Sequence, residues 1–315
     1  MNATGTNSVE PAGAVGLCAF TPRQIARQTA TLKIWEESPL DKGKVGYAAL
    51  WASMLPHSDP GDVPAWSRRD GHRSVIIRPG ARANPDGSIT KGGIPFGQLA
   101  RKILIGLIST AIKTRNPKIA LGHSMAAFLR GLGLRTDGRS GWGVRRQLIR
   151  LLGAAITYDY ADDYRFGTEN ISIADEYMLW WSPAAINQAT LWESHITLNG
   201  RLFEDILAHG FPVDLRAIRL LRSSLALDLY VWCACRVSRL REPLRLSWRT
   251  LHGQFGADYA CAEINNFRRH AISALFEVVR VWPGFEYGRV RGGIVLHPCA
   301  LPVPRISNVS KARTA

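Results

Sequence analysis

Asn265, Asn266, Arg269 and Ser273 are the side chains of this sequence whose types and spacing suit chemistry best. From "CAEINNFRRHAISALF" (261–276) on to Val278, a 100° step per residue puts Ile264, Phe267, Ala271, Leu275 and Val278 on one stripe and these four largely on the other side. Asn pairs in two-pronged fashion with adenine, and Arg with guanine, along the major groove, so this face can read base edges. It is equally the polar face that any amphipathic surface helix turns to solvent. Arg268 lies at the margin of the apolar stripe, within reach of a phosphate or of an internal carboxylate such as Asp228 or Asp258.

Charge points the same way. The chain has 315 residues, with 40 Lys and Arg against 25 Asp and Glu, a formal charge of +15, and implies a polyanionic partner. Residues 97–155 carry eleven Lys and Arg against a single acid, Asp137, and five of these cations, Arg135, Arg139, Arg145, Arg146 and Arg150, cluster around one expected helix. The next stretch, 156–200, carries seven acids against Arg165, which would turn its hairpin away from phosphates or toward a protein.

The elements that must position these residues recur. "FGQLARKILIGLISTAIKTR" reads as a helix, "KIALG" as a strand, "SMAAFLRGLGL" as a helix capped by Ser124, "GWGVRRQLIRLLGAA" as a third helix, and "AITYDYADDYRFGTENISIAD" as a hairpin. About 125 residues later "SLALDLYVWCACRVSRL", "EPLRLSW", "WRTLHGQFG", "CAEINNFRRHAISALFEVVRV" and "WPGFEYGRVRGGIVLHPC" repeat the order. The fold expected is α+β, mostly helical, with tandem winged helix-turn-helix domains at 96–200 and 201–305. A disordered tail (1–20), a Pro- and Gly-rich lead-in (21–95) and a second tail (306–315) complete the division. The lead-in should hold a helix to about Glu37, a helical turn or two around "YAALWASML" and a strand at "RSVIIRP".

In this frame the 261–281 helix takes the recognition slot, with Asn265, Asn266 and Arg269 in its first turns. Arg289 and Arg291 sit on the wing, for backbone or minor groove. Trp248 and Arg249 start the positioning helix, where a helix N-terminus can meet a phosphate, although Trp248 also suits a core.

Enzymatic and membrane classes are disfavoured. There is no P-loop, H-E-x-x-H or G-x-S-x-G, and the eight histidines include no His-x-His pair. Asp162 and Asp163 suit a hydrated turn better than a nuclease metal site. Five cysteines without a C-x-x-C support neither zinc nor a disulfide framework, and Cys233 and Cys235 read as reduced core thiols, so no cofactor is expected. No apolar run approaches a membrane span, and no basic head precedes the apolar stretch 12–20, which leaves a cytoplasmic protein as the expectation.

"GYAALWASMLPHSDP", "GIPFGQLARKILIGLISTA", "ALGHSMAAFLRGLGL", "GWGVRRQLIRLL", "ATLWESHITL", "FPVDLRAIRLL" and "WRTLHGQFGADY", in this order over roughly 45–300, resemble the plasmid-encoded replication initiators of the RepA type. The resemblance implies an initiator that binds direct repeats (iterons) in origin double-stranded DNA, melts adjacent AT-rich DNA and draws in the host initiator and helicase. It further implies copy control through a monomer–dimer equilibrium in which dimers repress the initiator's own gene. A winged-helix transcriptional regulator and a single-strand binder using exposed tryptophans are the other classes the composition allows.

Overall fold

The computed structural model describes residues 22–37, 43–49, 54–70, 73–122, 124–161, 166–179, 194–259 and 263–303. Both expected tails, the Asp162–Asp163 turn and the first half of "ATLWESHITL" therefore lie outside the described residues. The first third comprises α1 (Pro22–Glu36), β1 (Val45–Ala48), β2 (Trp66–Asp70), β3 (Arg73–Arg78), β4 (Ala81–Ala83) and β5 (Ile89–Lys91). Then follow α2 (Gly97–Thr114), β6 (Lys118–Ala120), α3 (Met125–Gly131), α4 (Gly138–Gly153), β7 (Ala155–Ala161), β8 (Phe166–Ser172), β9 (Ala174–Met178) and β10 (His195–Leu198). The rest is α5 (Gly200–His209), β11 (Phe211–Asp214), α6 (Leu215–Leu220), α7 (Ser224–Val237), β12 (Leu244–Ser247), α8 (Trp248–Phe255), α9 (Ile264–Val281), β13 (Tyr287–Val290) and β14 (Gly293–Leu296).

This is a mixed α+β fold, and the order helix, strand, helix, helix, hairpin occurs in both halves: α2-β6-α3-α4-β7-β8 and α7-β12-α8-α9-β13-β14. The local causes are those the sequence shows. Ser124 accepts a hydrogen bond from Ala127 N at the start of α3, and Ser247 one from Thr250 N at the start of α8. Gly292, the second of the two residues between β13 and β14, takes the left-handed conformation (φ 83°) that glycine adopts without strain. Gly293 has no room for a side chain: a Cβ there would sit 1.9 Å from the Leu246 carbonyl oxygen, so β12 and β14 pair closely.

The two halves differ in their sheets. The second closes as one three-stranded sheet, β12-β14-β13. In the first, the hairpin β7–β8 forms as expected but joins β3 and β2 in the order β2-β3-β7-β8, while β6 pairs with β10 and β10 with β9. The reason is β3, whose Val75 and Ile77 are buried and which occupies the free edge of β7. The lead-in is thus woven into the sheets. Its expected helical turn around "YAALWASML" is replaced over Val45–Ala48 by β1, which pairs antiparallel with β11, and residues 50–53 lie outside the described set.

Two apolar clusters form the core. One gathers α2, α4 and the sheets of the first half; the other gathers α7, α8, α9 and β14 around Tyr230, Phe267 and Trp282. The α7 helix is apolar on every side and almost wholly buried, with Cys233 and Cys235 inside it as free thiols whose pKa values burial raises.

Candidate nucleic-acid interface

On α9, Phe267, Ala271, Leu275 and Val278 are buried at 0–1% exposure, which pins the helix rotation. Asn265, Arg269 and Ser273 are consequently exposed in a line at i, i+4 and i+8, with Asn266 half-buried beside them. Arg269 Nη2 donates to Asn266 Oδ1 at 3.0 Å, so the two polar heads form one unit on the surface. The far end of the helix is held by α1, whose Trp35 Nε1 donates to the Arg280 carbonyl at 3.0 Å. The open part of α9 is therefore its N-terminal half.

Arg268 bonds neither of the carboxylates considered for it. Its guanidinium lies over the Trp248 ring, 5.9 Å from the centroid, because Asp228 and Asp258 are already engaged by Arg101 and His57. Trp248 itself is buried at 7% exposure in the second core, whereas Arg249 beside it is exposed at the start of α8. Arg289 and Arg291 are exposed at the tip of the β13–β14 hairpin, on either side of Val290.

The basic cluster of the first half divides. Arg139 and Arg146 are exposed on α4 and Arg145 is half-buried. Arg150 is tied inward: Nη1 donates to the Ile94 carbonyl at 3.1 Å and approaches Asp59 Oδ2 at 3.4 Å, while the guanidinium covers the Phe96 ring at 5.2 Å. Two further cations counted in the local surplus are internal. Arg101 is buried against Asp228, and Lys102 is buried with Nζ donating to the Arg219 carbonyl at 3.3 Å.

Composition alone does not single out Trp142, which is 59% exposed on α4 between Arg139 and Arg146. A usable signal was present, since 139, 142 and 146 share a helix face opposite Val144, Leu148 and Leu151. With β5 facing it across the groove, this face bounds a space of about 520 Å³ lined by Lys91, Arg139, Trp142, Arg145 and Arg146 among others. Among the described residues, no group of three or more His, Cys, Asp or Glu could hold a metal ion, and no helix is long and apolar enough to cross a membrane.

This arrangement sets an exposed Asn/Arg helix face among exposed cations, a chemistry that can meet a polyanion. Residues 94–249 match the family model described as plasmid-encoded RepA protein, and the chain belongs to that family. The match ends before α9. Among solved structures, the fold is similar to two crystal structures of domains 2 and 3 of RctB, one of them of selenomethionine derivatives. Both have a TM-score of 0.50 at 12% identity; one covers 77% of this chain and 95% of the other, the second 78% and 94%. No curated protein sequence matches.

Proposed function

We propose that this protein is a plasmid replication initiator that acts by binding rather than by catalysis, and that it belongs in the cytoplasm with its plasmid. Its second half is a winged helix-turn-helix domain whose α9 enters the major groove of origin double-stranded DNA, with Asn265, Asn266, Arg269 and Ser273 toward the bases. The exposed stripe on α9, opposite a buried apolar stripe, is the observation that carries this reading. Arg289 and Arg291 hold backbone phosphates from the wing, and the cations of α4 attract phosphates of either duplex or single strand without regard to sequence. The first half is a modified second copy of that domain, with β2 and β3 added to its hairpin.

In this role the protein binds iterons, promotes melting of adjacent DNA, brings in the host initiator and helicase, and represses its own gene through a monomer–dimer equilibrium. Family membership and the basic surface support this assignment. The test is a footprint of the purified protein on its plasmid's origin. Protection of tandem repeats by single polypeptides, each spanning two successive major grooves, is expected. A palindrome bound only by dimers would instead make the protein a transcriptional regulator.

A further inference from the structure

We propose that the groove between α4 and the β4–β5 hairpin is a binding site for one unpaired DNA strand, with Trp142 as the surface on which a base stacks. The site rests on the nucleic-acid reading above but assigns this face a different form of the ligand. Trp142 is 59% exposed and lines the groove, and an indole left this open offers a flat apolar surface to a ligand. Lys91, Arg139, Arg145 and Arg146 line the groove with it, and among the described residues no Asp or Glu does. Cations around an exposed aromatic plate are the two components of single-strand recognition: guanidinium and ammonium groups follow the phosphates, and the ring takes any base by its π face.

Geometry selects a strand over a duplex. The major groove, about 12 Å wide, admits one helix or one two-stranded ribbon. Here the basic face of α4 has a ribbon standing across from it, since Thr90, Lys91 and Gly92 form the opposing wall. The pair is too wide to enter a groove together, and the space between them, about 520 Å³, suits a few nucleotides. The wall is fixed in place: the Arg150 guanidinium lies within 3.0–3.1 Å of where a Cβ on Gly93 would sit and bonds the Ile94 carbonyl, tying the end of the hairpin to α4. Ile89, 71% exposed, lies on the same side of β5 as Lys91.

The test compares the full chain with Trp142→Ala, Trp142→Phe and Arg146→Ala, by fluorescence anisotropy with labelled oligo(dT) and with a labelled origin duplex. Expected is a loss of about tenfold or more in oligo(dT) affinity for Trp142→Ala, most of it restored in Trp142→Phe, with duplex affinity changed by less than about twofold. Arg146→Ala should lower oligo(dT) affinity and flatten its salt dependence. Unchanged thermal unfolding will show that the variants fold. Wild-type affinity for oligo(dT) in Trp142→Ala overturns the site, as does an equal loss on strand and duplex. A wild-type chain that binds duplex but not oligo(dT) also overturns it, while leaving the proposed function intact; failure on the duplex alone strikes only that function. Conversion of a dimer to monomer by Trp142→Ala, without the oligo(dT) loss, would make the face a contact between copies and overturn the strand site.

Discussion

Arg101 and Asp228 meet in a two-pronged ion pair between the two halves of the chain, Nε to Oδ1 at 2.6 Å and Nη2 to Oδ2 at 2.8 Å, with both side chains at most 2% exposed. The remaining guanidinium donors bond the carbonyls of Leu55, Pro56 and Gly97, and His57 Nε2 lies 2.8 Å from Asp228 Oδ2. A pair satisfied to this degree joins α2 to α7 and fixes how the halves sit. Removing one partner strands the other charge in the core, so Asp228→Ala should cost about 3–5 kcal/mol by urea unfolding. The double change Arg101→Met with Asp228→Leu should cost less than Asp228→Ala alone. Equal costs would mean that the charges themselves hold the halves together.

The same pair sets an acid limit. Burial alone would raise the Asp228 pKa, but the charge and hydrogen bonds of Arg101, with those of His57, outweigh it and hold the carboxyl below its ordinary value. A depressed folded-state pKa gives stability that is complete above the unfolded value of about 3.9 and disappears as pH falls through the folded one. Wild-type unfolding free energy should therefore fall more steeply below about pH 4 than that of Asp228→Asn.

Lys102 acts at the alkaline end, where its charged form costs stability instead of supplying it. Burial, aided by the nearby charge of Arg222, pushes its pKa down to about 8, so the fold disfavours the ammonium form. The unfolded chain, with a lysine pKa of about 10.4, binds more protons over the interval between, and stability should rise as pH climbs through it. Lys102→Met should remove that rise and stabilise the protein at pH 7 by up to about 3 kcal/mol. Chemical denaturation at pH 7 and pH 10 checks both halves of the expectation; a destabilised variant with an intact rise would refute it.

The wing cations answer to salt. If Arg289 and Arg291 each touch a phosphate, the double alanine variant should weaken binding to all duplexes alike and reduce the slope of log affinity against log salt by about 1.8. An unchanged slope would take the β13–β14 tip off the DNA. Filter binding at several salt concentrations, on origin and random duplexes, gives the answer.

Sequence periodicity located α9 well because its apolar stripe is unbroken, so the burial of Phe267, Ala271 and Leu275 follows from pattern alone. The capped helices α3 and α8 were legible for a similar reason, since Ser124 and Ser247 act within three residues of themselves. Charge counting did less well in α2. That helix is packed by α4 on one side and by α7 and β1 on others, so Arg101 and Lys102 face protein although their neighbours in sequence give no sign of it. The pairing of β3 with β7, about 80 residues apart, was equally invisible, because both edges of a hairpin look alike until a competing strand is known. The groove at Trp142 was not legible because its other wall is β5, a strand with no apolar alternation of its own.

The bond from Arg269 to Asn266 has a consequence for recognition. An Asn that reads adenine needs its Oδ1 to accept from N6 while Nδ2 donates to N7, yet Asn266 Oδ1 already accepts from Arg269 at 3.0 Å. The two residues must therefore rearrange or read as a unit, and their contributions should not add. Asn266→Ala and Arg269→Ala should each cost about 1–3 kcal/mol on the specific site and relax selectivity at one base position. The double variant should cost clearly less than the sum. Competition binding against a library of singly substituted sites measures both quantities. Losses that are the same on random DNA would reduce the pair to phosphate contacts, and strict additivity would mean that the bond between them breaks without cost when DNA binds.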